Sequence, residues 1–242
     1  MESNDKPTEL KSTGLNTSRD EMNFEPLEVD FINMVIRQKP GNPLGWWLGD
    51  YPDNYTEIEK DGTVVFHGNA TVWDDLRVPV TTAKPGNVVP DFGAFLAAGG
   101  LKTYLFDGGG RAEEIHFIVQ LPHSYKIGTD ITPHVHWTPT DTGAGNVRWS
   151  LEYTWVDIDG TFGASTTIHT IDAASTTAWE HLRIDFAVID GSGITGISSM
   201  LVCRLFRDSA DVGDTYASDA ALLEIDFHYE SDTVGSRTIL AK

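Results

Sequence analysis

The chain has 242 residues, 36 Asp plus Glu against 17 Lys plus Arg, and a formal charge of -19. A field of that sign repels phosphate backbones, which excludes nucleic-acid binding by the bulk surface. A single cysteine rules out an intrachain disulfide framework, and no run approaches the roughly 18 apolar residues of a membrane helix.

Residues 1 to about 25 are polar and without hydrophobic period, and MESNDKPTELKSTG contains no signal-peptide apolar region. The chain is therefore expected to be soluble and not classically exported. Apolar residues return in FEPLEVDFINMVI, and Pro40 and Pro43 stop any helix there. GWWLGDYPDNY follows. Adjacent side chains of an extended segment point opposite ways, so Trp46 and Trp47 are expected to meet two different surfaces. From Tyr55 the pattern is β. YTEIEKDG and TVVFHG flank an Asp61-Gly62 turn, and NATVWDDLRVPV continues the run. A Gly- and Pro-containing connection follows, with one short helix expected around DFGAFLAAGG. Ile115 to Leu121 forms the next strand.

The second half is cleaner. In NVRWSLEYTW, Val147, Trp149, Leu151, Tyr153 and Trp155 alternate with polar residues in strict period two, the mark of a half-buried strand. TFGASTTIHTI, WEHLRIDFAVID and ISSMLVCRLFRD read as further strands, with Cys203 a small buried hydrophobe. In ALLEIDFHYESD, Leu223, Ile225, Phe227 and Tyr229 share one face and Glu224, Asp226 and His228 the other. Eight to ten short strands between Gly/Asp/Pro turns, with almost no helix, predict an all-β fold, a jelly-roll-like antiparallel β-sandwich with an extended N-terminal arm. The arm is placed at 1–53 and the sandwich at 54–242.

PHVHWTP carries the most pointed motif. On a strand, His134 and His136 share one face, and two imidazoles on one face hold zinc, iron or manganese. The spacing from Gly128 matches the first half of the cupin metal motif, with Asp141 where that motif has Glu, but the second half is absent. Such an ion usually needs three or four ligands. His228 and Asp226 supply them only if their strand lies beside the His-x-His strand on the same face. The preferred reading is two imidazoles on a hydrated or subunit-facing sheet surface.

Glu224, Asp226, Glu230 and Asp232 are read as the solvent face of an amphipathic strand, with Arg148, Arg204 and Arg207 as available partners. No Ser sits in a Gly-x-Ser-x-Gly elbow, and DGGGR lacks the Lys-Ser/Thr of a phosphate loop. The seven tryptophans are read mainly as core and interface packing. No constellation reaches the standard of an enzyme site, and no cofactor is expected.

Four stretches then resemble a known group. DNYTEIEKDGTVVFHGNATVWDDLRVPV, EEIHFIVQLPHSYKIGTDITPHVHWTP, SLEYTWVDIDGTF and CRLFRD with DTYASDAALLEIDFHYESDTVGSR resemble virion structural proteins of tailed bacteriophages, over residues 54 to 237. The resemblance implies a β-sandwich of the particle's outer surface, assembled as a homo-oligomer, usually a trimer. It implies that His-x-His and DFHYE are structural signatures. The expected role is a capsid decoration or cement protein whose partners are its own copies, the major capsid protein or other virion proteins, with no nucleic acid and no membrane. Phe31, Trp46 and Trp47 are the expected arm contacts. The alternatives are a tail, collar or head-fibre appendage of the same fold, or a cupin-like metal enzyme using His134, His136 and His228. Around a trimer axis, histidines or acids repeated three times would hold an ion that no single chain holds.

Overall fold

The computed structural model describes residues 27–30, 35–38, 46–50, 52–96 and 99–242, and of the first two stretches the backbone alone. Two compact units divide the chain, residues 1–65 and 66–242. Within the first unit β1 (Leu27–Asp30) pairs antiparallel with β2 (Val35–Gln38). A separate three-stranded sheet has the order β3 (Trp46–Asp50), β4 (Asn54–Ile58), β5 (Val64–His67). The turn before β5 forms as its residues dictate. Gly62 takes φ +89°, and Asp61 Oδ1 accepts the Thr63 N–H at 3.0 Å.

The second unit is an antiparallel jelly-roll-like sandwich. Its strands are β6 (Val72–Pro79), β7 (Lys84–Pro85), β8 (Asp91–Ala94), β9 (Lys102–Phe106), β10 (Ala112–Gln120), β11 (Thr132–Pro139), β12 (Asn146–Val156), β13 (Thr166–Ala173), β14 (Leu182–Asp185), β15 (Met200–Asp208) and β16 (Ala220–Ser231). One sheet has the order β13-β12-β15-β10-β7. The other has β14-β11-β16-β9-β8, with β6 also on β16. From β10 onward the chain changes sheet at every step except the β12–β13 hairpin, which puts strands distant in sequence side by side.

The long final strand holds the second sheet together. One edge of β16 pairs with β11. Along the other edge, Ala220 and Ala221 pair with β9 and Glu224–Ser231 pair with β6. No strand pairs with the outer edge of β6 among the described residues.

Period-two alternation builds the core between the sheets. Val147, Trp149 and Leu151 of β12, Leu201, Cys203 and Leu205 of β15, Val135 and Trp137 of β11, and Ile225 and Phe227 of β16 are all buried there. Trp149 takes the edges of Phe106 (centroids 5.2 Å apart) and Trp137 (6.3 Å). Cys203 is buried as expected, and burial pushes its thiol up to about 12.

Two local expectations are corrected. The short helix around DFGAFLAAGG is absent over Asp91–Ala94, which form β8 instead and pair with β9 from Asp91↔Leu105 to Ala94↔Lys102. Phe92 lies edge-on to Tyr104 at 5.3 Å, and a neighbouring strand with an aromatic contact outweighs weak helix propensity. Leu223 is not the core residue of β16. The register against β11 runs His136↔Glu224 and then Trp137↔Leu222, so a bulge at Leu223 resets the alternation, and Leu222 is fully buried while Leu223 is only half-buried.

Candidate functional site

The outer face of the six-stranded sheet carries the chemistry. Facing residues of antiparallel strands share a face, and the registers generate three rows. Asp185, His134, Asp226 and Arg77 make one row across β14, β11, β16 and β6. Arg183, His136 and Glu224 make the second, and Thr132, His228 and Asp75 the third. The condition set by the sequence is met: β16 does lie beside β11, and His134, His136, Asp226 and His228 converge.

The two imidazoles of the His-x-His strand differ in exposure: His134 is covered, and His136 is partly exposed. His134 is 1% exposed and Asp226 3%. Neighbouring rings cover His134, with the His228 centroid 4.1 Å and the His136 centroid 5.0 Å away. His134 Nε2 lies 2.5 Å from Asp226 Oδ1, and His136 Nε2 lies 3.7 Å from Oδ2. The first approach is close in distance but not directed as a hydrogen bond. Asp226 Oδ1 and His134 Nδ1 are both buried without a hydrogen-bond partner. His136 Nδ1 is 2.6 Å from His181 Nε2, and His228 Nε2 is 2.6 Å from Asp75 Oδ1. Burial holds the His136 imidazole below its ordinary pKa. Asp226 opposes that shift, and His134 and His181 reinforce it.

The carboxylates of β16 have other partners than those expected. Arg77 grips Glu224 through Nε and Nη2, both at 2.8 Å, and Lys126 pairs with Glu230 at 2.6 Å. Arg148, Arg204 and Arg207 belong to the five-stranded sheet. They pair with Asp208 and Asp211, with Glu114 and Glu152, and with Asp214. Asp226 is covered and not on a solvent face. Asp141, at the cupin acid position, pins a loop instead, accepting from Gly143 N–H at 2.8 Å, the Tyr216 hydroxyl at 3.0 Å and the Ser218 hydroxyl.

Of the expected arm contacts, Phe31 lies outside the described residues. Trp46 and Trp47 fall in β3. Trp46 is half-buried, while Trp47 is 41% exposed and meets Tyr55 edge-on at 6.4 Å. Sequence reasoning did not single out Trp73 as an exposed position. It is 61% exposed on the outer-edge strand β6, beside the exposed Val72.

No protein-family model matches the chain, and no curated protein does. Among solved structures, an Arthrobacter globiformis T6 isomalto-dextranase complexed with panose is 16% identical with a TM-score of 0.38, over 63% of this chain and 23% of that one. A family 35 carbohydrate-binding module from Clostridium thermocellum is 8% identical with a TM-score of 0.33, over 64% of this chain and 97% of the module. A structure of infectious bursal disease virus, Gt strain, is 10% identical with a TM-score of 0.30, over 86% and 47%. The chain thus spans under a quarter of the length of the dextranase. Likenesses at this level carry no argument about what the chain does.

Proposed function

We propose that this chain is a non-enzymatic structural component of a tailed-phage particle. On this reading it is a decoration or cement protein bound as a homotrimer to the outer surface of the head, with the major capsid protein as its neighbour. The observation that carries the reading is exposed apolar surface outside the core. Trp47 and Leu48 (58% exposed) are exposed on the small N-terminal sheet, and Val72 and Trp73 are exposed on β6, whose outer edge pairs with no strand among the described residues. Large aromatic side chains left in water on an open strand edge are what a subunit interface covers. Ile118 and Val202, in register and both exposed on the outer face of the five-stranded sheet, add to that surface.

The resemblance over residues 54 to 237 supports the particle and its outer surface as the location. The acidic charge suits display at high density, since like-charged surfaces stay soluble. The test is proteomic and imaging analysis of purified particles of the phage encoding the chain, with and without its gene. The reading expects the chain in intact particles and missing density on the head in the deletion. Particles lacking the chain, or density lost from the tail or collar alone, would contradict the head assignment.

A second reading, a host-adsorption appendage of the same fold, has one observation in its favour. A groove between β12, β13 and residues 190–193 brings Tyr153 and Trp155 beside Asp190 and Ser192, an aromatic and polar lining suited to a glycan. Glycan-array binding lost in Trp155→Ala would favour it.

A further inference from the structure

We propose that His134, His136 and Asp226 hold one divalent transition-metal ion of the zinc class on the outer face of the six-stranded sheet, fastening β11 to β16. This proposal is independent of where in a particle the chain sits.

The geometry is specific. The ligand atoms of these three residues lie within 4.8 Å of one another. They reach the site from two neighbouring strands in facing register, His134 directly opposite Asp226. Each carboxylate oxygen of Asp226 faces one imidazole, Oδ1 toward His134 Nε2 and Oδ2 toward His136 Nε2. The far nitrogen of His136 is engaged by His181, which fixes the ring and turns Nε2 inward, as partners of metal-binding histidines do. Asp75 and His134 form a second, overlapping group with His228, whose ring packs on His134 and is oriented by Asp75.

Two observations point to a cation rather than to a self-sufficient network. First, Asp226 is a buried carboxylate, and no Arg or Lys forms an ion pair with it among the described residues. Its strand neighbour Arg77 commits its fork to Glu224. A buried carboxylate with no direct ion pair to an Arg or Lys is costly. Second, Asp226 Oδ1 has no hydrogen bond although an imidazole nitrogen lies 2.5 Å away. An ion would supply the partner that this buried carboxylate oxygen lacks. Imidazole with carboxylate selects zinc or a neighbouring first-row metal over calcium or magnesium. His134 and Asp226 are buried, so an ion held there would tie two neighbouring strands from within the sheet surface.

The test uses the full chain stripped with EDTA and shown folded by circular dichroism. Zinc is added, excess is removed by desalting, and bound metal is counted by elemental analysis alongside a thermal melt. The expected result is one zinc per chain and a higher melting temperature. Affinity should fall about tenfold or more in His136→Ala, whose partly exposed side chain can be removed without opening the core. Asp226→Asn should lose the ion as well, and His116→Ala, on the other sheet, should keep it. The proposal is overturned if the folded, stripped chain takes up neither zinc, nickel nor manganese. It is equally overturned if His136→Ala and Asp226→Asn bind zinc as tightly as the parent.

Discussion

Two residues show how far a single position's environment can be read, and each yields a prediction. Glu113 is buried, and burial raises its carboxyl from 4.5 to about 7, with the nearby Asp107 charge adding to the shift. The folded state therefore holds a proton that the unfolded chain has lost between those two values. Stability contributed at this position is present below about pH 4.5 and is lost as pH rises through about 7. Glu113→Gln keeps an acceptor for the Asp107 N–H and cannot ionise. Urea unfolding should find it more stable than the parent at pH 8 and nearly equal at pH 4.5. Equal differences at both pH values would refute the assignment.

Arg207 is the opposite case, a charge buried at 0% exposure with all its donors used. Nε and Nη2 hold Asp214 at 2.9 and 2.8 Å, Nη1 reaches the Phe106 and Ser218 carbonyls at 2.8 and 2.7 Å, and Nη2 also reaches the Tyr216 carbonyl. Arg207→Leu strands Asp214 without its partner and should cost about 3–5 kcal/mol in urea unfolding. A cost below about 1 kcal/mol would mean that the network is not what closes this end of the sandwich.

At the scale of elements, β16 explains what the sequence makes visible and what it hides. Its phase along Ile225, Phe227 and Tyr229 is plain in the letters. The bulge at Leu223 is not, because ALLE reads as alternating whichever leucine turns inward, and only pairing with β11 decides it. Leu222→Ala should cost about 2–5 kcal/mol, and Leu223→Ala about 1 kcal/mol or less. Urea midpoints that rank the two the other way would displace the bulge.

The metal-ligating residues split the same way. His134 and His136 announce themselves by spacing. Asp226 joins them only because the sandwich lays its last strand beside the His-x-His strand, and strand neighbourhood across some ninety residues leaves no local mark. One signal was available: IDFH repeats the two-residue polar spacing of HVH, as facing antiparallel strands require. The burial of His134 had no such signal, since it comes from the rings of His136 and His228 closing over it. Arg207 was legible in principle, because the period of MLVCRLFRD that buries Leu201, Cys203 and Leu205 carries it to the same face. The β8 strand was not, since DFGAF gains its strand character only from β9.

At the scale of the molecule, the sandwich supplies its own core, and each of the two units leaves apolar side chains exposed. Trp47, Leu48, Val72 and Trp73 are apolar area left in water, and each Å² covered by a neighbouring copy returns roughly 25 cal/mol. If these residues make the subunit contacts, then Trp47→Ser with Trp73→Ser should shift the assembly toward single chains with the fold intact by circular dichroism. An assembly unchanged by both substitutions would move the interface elsewhere, toward the Ile118 and Val202 face.

The claim beneath all of this is that the chain works as an assembled structural subunit, and absolute molar mass by light scattering on the purified full-length protein tests it most directly. The account predicts a single species at three times the 26.6 kDa chain mass, persisting on dilution. A stable species at 26.6 kDa would contradict it.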